Sequence, residues 1–194
     1  MIGAITAGLF STGTAASTNS YESIATVTVG SGGSSSISFS SIPSTYKHLQ
    51  IRCLTQDNRA TFGMSGFDIK FNSDSTATNY AYHLLNGDGS VAGAGGAANT
   101  LIHVYDSTGT TTGGSFGATI IDVLDYQSTN KNKTVRSLGG IDFNGVIAGY
   151  GGRVTMISGL WMNSSTAISS IQIVPNLGTS FNQYSSFALY GIKG

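Results

Sequence analysis

GFDIKFN, residues 66–72, decides the fold class. Phe67, Ile69 and Phe71 alternate with Asp68 and Lys70, a period of two that sets three apolar side chains on one face of a β-strand and two charged ones on the other. The same alternation recurs upstream. ATVTVG (25–30) sets Val27 and Val29 against Thr26 and Thr28, and SISFSSIP (36–43) continues with Ile37 and Phe39 in phase. The two runs, joined by the turn GSGGSS, read as a hairpin. In HLQIRCLT (48–55), Leu49, Ile51 and Cys53 share one face while His48, Gln50 and Arg52 take the other. Downstream, NYAYHLL (79–85), TLIHVYD (100–106), TVRSLGG (134–140), RVTMISGLW (153–161), ISSIQIV (168–174) and SSFALYGI (185–192) add further strands, for about eleven. ATIIDVLDY (118–126) is nearly continuous in apolar residues and reads as a strand buried on both faces. NGDGSVAGAGGAANT (86–100) reads as a glycine-alanine loop that lies against a neighbour or stays mobile.

Alternating strands at short spacing, with no crossover helices, specify an all-β, antiparallel β-sandwich over residues 21–194 as a single domain. Its core is expected to hold Phe67, Ile69, Phe71, Ile121, Val123, Ile157 and Leu189. Residues 1–20 read differently. MIGAITAGLF is apolar but lacks the basic residues of a signal peptide, and it is too short to span a bilayer. STGTAASTNS behind it has linker composition. This pattern is that of an extended N-terminal docking arm, with Ile2, Ile5, Leu9 and Phe10 as the residues that bury against another protein.

Composition removes several function classes. The 194 residues carry 9 Lys+Arg and 9 Asp+Glu, a formal net charge of +0, while 28 Ser, 22 Thr and 27 Gly make an uncharged polar skin. No basic patch can neutralise many phosphates, so no nucleic acid is expected as a partner, and no electrostatic membrane anchor. With only 9% charged residues, an isolated monomer is colloidally poor, which points to a homo-oligomer.

Chemistry-bearing motifs are few. Cys53 is the one cysteine, so no internal disulfide forms, and its strand position reads as a small buried hydrophobe. His48, His83 and His103 fall on three strands without metal-ligand spacing. Glu22 is the sole glutamate. Asp122 and Asp125 point to opposite faces, wrong for a carboxylate pair, and Asp125 is expected to pair with Lys131 or Lys133 across a hairpin. NGDGS (86–90) resembles half a calcium loop and reads as a plain turn. No nucleophile elbow or phosphate loop occurs. The sequence therefore predicts no enzyme, no catalytic residue, no metal and no cofactor. Trp161, Tyr150 and Tyr126 are the aromatic residues that would stack on sugars if the domain bound glycans.

SYESIATVTVGSGGSSSISFSSIPSTYKHLQIR (20–52) resembles a family of structural proteins of marine and freshwater tailed phages, cyanophages included. So do IIDVLDYQSTNKNKTVRSLGG (120–140), SGLWMNSSTAISSIQIVPN (158–176) and, most distinctively, FNQYSSFALYGIKG (181–194). The resemblance runs from about residue 19 to 194. It implies a β-sandwich, jelly-roll-like, displayed on a virion as a capsid cement or decoration protein or as a tail or fibre component. By analogy with such proteins it also implies a homotrimer held to other virion proteins. The alternative is a host-surface glycan-binding adhesin module.

Overall fold

The computed structural model describes residues 20–147 and 150–194; the side chains of residues 143–150 lie outside that description, as do Ile2, Ile5, Leu9 and Phe10 of the expected arm. Twelve strands follow in order: β1 (Tyr21–Thr28), β2 (Ile37–Phe39), β3 (His48–Thr55), β4 (Met64–Phe71), β5 (Tyr80–Gly87), β6 (Ala92–Asn99), β7 (Ile102–Thr108), β8 (Gly117–Leu124), β9 (Lys133–Ile147), β10 (Tyr150–Trp161), β11 (Ile171–Pro175) and β12 (Ser186–Ile192). The one helical element among the described residues is a 3-10 turn, Thr110–Thr112.

The strands form two antiparallel sheets, an eight-stranded one ordered β1-β12-β3-β8-β9-β10-β5-β6 and a four-stranded one ordered β2-β11-β4-β7. Their pairing is nested. β1 pairs with β12, β2 with β11, β3 with β8 and β4 with β7, as in one long hairpin folded from both ends of the chain. Rolling that hairpin adds the pairs β12·β3 and β11·β4. Nested ladders split between two facing sheets are the wiring of a jelly roll. Two further hairpin segments, β5–β6 and β9–β10, join to one another through β10·β5 and widen the first sheet beyond β8.

Period-two patterning places the core where the sequence predicted it. Phe67, Ile69, Phe71, Ile121, Val123, Ile157 and Leu189 are all buried, together with Cys53, whose thiol burial pushes upward in pKa. Aromatic rings cluster in two places. Phe67, Phe181 and Phe187 pack edge to face, and Phe71, Tyr80 and Trp161 lie 5.7–6.4 Å apart between ring centres.

Three sequence expectations are corrected. β1 and β2 are not a hairpin: the GSGGSS segment carries the chain from one sheet to the other, and each strand pairs with a partner from the C-terminal end. Residues 92–99 are not a loop but strand β6, because backbone bonding to β5 needs no side-chain bulk. β8 is buried on one face only; Ile121 and Val123 enter the core while Ile120 stays 46% exposed.

Candidate functional site

The face of the eight-stranded sheet that points away from the core carries the most unusual surface among the described residues. Register aligns its side chains in rows across the strands. One row runs Ala188, Arg52, Ile120, Leu138, Met156, Leu85, Ala94 from β12 to β6. The next runs Ser186, Leu54, Ala118, Gly140, Val154, Gly87, Ala92. Between them they expose Leu54, Ile120, Leu138, Val154, Met156 and Leu85, each 46–62% accessible. An outward sheet face in contact with water normally alternates to polar residues. Here six large apolar side chains stand together, a contiguous patch of the kind that marks an interaction surface.

The relief of the stripe is uneven. Leu138 and Met156 separate two shallow grooves. One of about 470 Å³ is bordered by Leu54, Ile120, Leu138 and Ala188. The other, of about 370 Å³, lies among Leu85, Ala94, Met156 and Ile157. Knobs and grooves of this size suit side-chain interdigitation by a protein partner.

On one side the stripe meets a polar row, Tyr190, Gln50, Asp122, Arg136, Ser158 and His83. Its charges satisfy one another. Gln50 Nε2 donates to Asp122 Oδ1 at 2.9 Å, and Arg136 reaches Asp122 at 3.4 Å. Arg52, the lone charge inside the stripe, donates through Nε to Gln50 Oε1 at 2.9 Å and lays its guanidinium 5.2 Å from the Tyr190 ring centre. The stripe is thus apolar in its centre and polar at its rim, the usual anatomy of an interface.

Two of the three candidate sugar-stacking residues are buried. Trp161 is fully buried; it stacks on Tyr80 and donates Nε1–H to Asp74 at 2.8 Å. Tyr126 is equally buried, with its hydroxyl donating to the Pro43 carbonyl. Neither ring offers a face to a sugar, because both complete the core. The Tyr150 side chain lies outside the described residues.

The titratable groups assemble into structural networks. His103 and Asp68 face each other across β7 and β4, a pair that no sequence spacing announces. Nδ1 of His103 donates to Asp68, Nε2 accepts from Asn99 Nδ2 at 3.0 Å, and Asn176 Nδ2 donates to the same carboxylate at 2.9 and 3.0 Å. Both imidazole nitrogens are engaged within this network. Asp125 pairs with Lys131, as expected, and with Lys47 at 3.3 Å. These cations hold its carboxyl below the usual range. Lys133 instead donates to the Asn163 carbonyl at 2.6 Å, 5.2 Å from the Trp161 ring centre. Asp88 accepts from the backbone of Ser90 and Val91, the geometry of a plain turn. Among the described residues no three His, Cys, Asp or Glu side chains come together as a metal site would require.

No family model, curated protein or solved structure matches this chain.

Proposed function

We propose that the protein is a non-enzymatic structural component of a bacteriophage virion, displayed on the particle as a capsid cement or decoration protein or as part of the tail or its fibres. The apolar stripe on the outer face of the large sheet carries this reading. A soluble catalyst gains nothing from six half-exposed hydrophobic side chains, whereas a subunit that works in an assembly needs such a face. The jelly-roll wiring is compatible, since the fold serves in viral shells as well as in lectins, though fold alone assigns no function. The sequence resemblance to phage structural proteins supplies the particle.

On this reading copies of the chain pack as a trimer along the stripe, and residues 1–20 tie the trimer to other virion proteins. Quantitative protein analysis of purified particles tests it. Hundreds of copies per particle mean decoration of the capsid, and a small multiple of three means a tail part. Absence of the protein from purified particles overturns the proposal.

A further inference from the structure

Strand β6 closes the eight-stranded sheet, with no strand beyond it among the described residues. Its eight residues, AGAGGAAN, include no charge, no proline and no large side chain, and its register with β5 runs unbroken from Gly87↔Ala92 to Tyr80↔Asn99. Edge strands are ordinarily shielded by lysines, prolines, bulges or a covering segment, because an open edge is a template for another strand. β6 has none of the devices that belong to its own sequence.

The free side of this edge can be assigned. Asp88 N–H donates to the Val91 carbonyl at 3.3 Å, which makes that pair a hydrogen-bonded one. Bonded and non-bonded pairs alternate along an antiparallel ladder. Gly93, Gly95, Ala97 and Asn99 therefore turn their backbone groups toward β5. Ala92, Ala94, Gly96 and Ala98 turn theirs to the open side, a straight row of alternating donors and acceptors.

We infer that this row pairs with the same row of a second copy of the chain, antiparallel about a two-fold axis beside Gly95. That register sets Ala92 opposite Ala98 of the second copy and Ala94 opposite Gly96, so every outward N–H and C=O finds a partner. An isologous contact needs one self-complementary surface, and an edge of this kind is one by construction. Two further features favour a second copy. β6 brings no charge to repel its own image, and methyl groups and hydrogens leave both faces of the joint unobstructed. The contact uses the edge and not the face of the sheet, and stands whether or not that face is covered.

The test uses full-length protein and three variants, with native mass by sedimentation and amide exchange as readouts. Ala94→Pro removes an outward N–H that bonds nothing among the described residues, and should halve the native mass while leaving the far-ultraviolet circular dichroism unchanged. If proline disturbs the strand itself, the charge variants decide. Ala92→Lys with Ala98→Lys opposes like charges at both ends of the joint and should also halve the mass. Ala92→Lys with Ala98→Glu opposes unlike charges and should restore it. In the assembled wild type the Ala94, Gly96 and Ala98 amides should exchange at least ten-fold more slowly than in the double-lysine variant. Unchanged mass in the double-lysine variant, or fast exchange at these three amides in the wild type, overturns the inference. So does slow exchange in a protein that sediments as a monomer, since the edge would then be covered by the chain itself.

Discussion

The carboxylate of Asp106 lies directly over Gly139, so close that a Cβ there would fall 2.3 Å from Oδ2. Gly139 pairs with Thr119 on one side and Thr155 on the other, so the carboxylate enters the core between two threonines. Asp106 is fully buried, and neither of its oxygens meets a donor among the described residues. Thr119, Ser137 and Thr155 hydroxyls are also buried without a partner among the described residues. A patch of polar atoms at this density inside a protein is normally hydrated.

This geometry gives a pH signature. Burial pushes the Asp106 pKa up to about 6, against the opposing pull of the Arg153 charge. The folded state therefore holds the proton more tightly than the unfolded chain, whose carboxyl titrates near 3.8. Stability from this group is full below that value and falls as pH rises to about 6, by roughly 3 kcal/mol at most. Asp106→Asn cannot ionise. Urea unfolding from pH 4 to 8 should show wild type losing stability relative to the variant across that window, and a flat difference would mean the carboxylate is fully compensated.

Gly191 and Tyr46 form a second close approach. The Tyr46 ring lies on the β12 backbone where a Gly191 Cβ would be 2.2 Å from ring carbon Cγ. The ring's hydroxyl donates to Glu22 Oε2 at 2.9 Å, tying the β2–β3 connection to β1. Gly191→Ala must displace the ring and this bond together. A loss of about 1–3 kcal/mol is expected from overpacking, measured as a shift in denaturation midpoint. Tyr46→Ala in the Gly191→Ala background should then cost much less than in wild type.

How much of this was legible follows from the range of each interaction. Alternation in GFDIKFN and SSFALYGI is local, and it located the strands and the buried face. Pairing is not local: β1 meets β12 across the whole domain, so adjacency in sequence misled the reading of β1 and β2. β6 was missed because glycine and alanine lack the bulk by which strands are recognised, although they bond through backbone all the same. The apolar excess of ATIIDVLDY was visible, but not that its second face looks outward. His103 and Asp68 are 35 residues apart, and only the fold brings them together.

Leu138 and Met156, 55% and 57% exposed, are opposite one another at the middle of the apolar stripe. Leu138→Asp with Met156→Lys should leave monomer stability within about 0.5 kcal/mol, since neither side chain enters the core. The same pair should abolish assembly through the face, read by light scattering as a loss of native mass. If wild type already scatters as a stable 20 kDa monomer at micromolar concentration, the face has another use.

Residues 1–20 supply the last prediction. Ile2, Ile5, Leu9 and Phe10 would contribute about 6–10 kcal/mol on burial, at roughly 1.5–3 kcal/mol each. Fixing ten backbone residues costs about 10–20 kcal/mol. One arm alone does not clear that cost by side-chain burial. Strand addition to a partner or several arms acting together would supply the difference, which is why an oligomer should attach where an isolated arm peptide does not. Deletion of residues 1–20 leaves β1 whole from Tyr21, so circular dichroism and thermal unfolding should match the full chain. Incorporation into particles should be lost. Incorporation at the wild-type level would move the attachment surface from the arm to the sandwich itself.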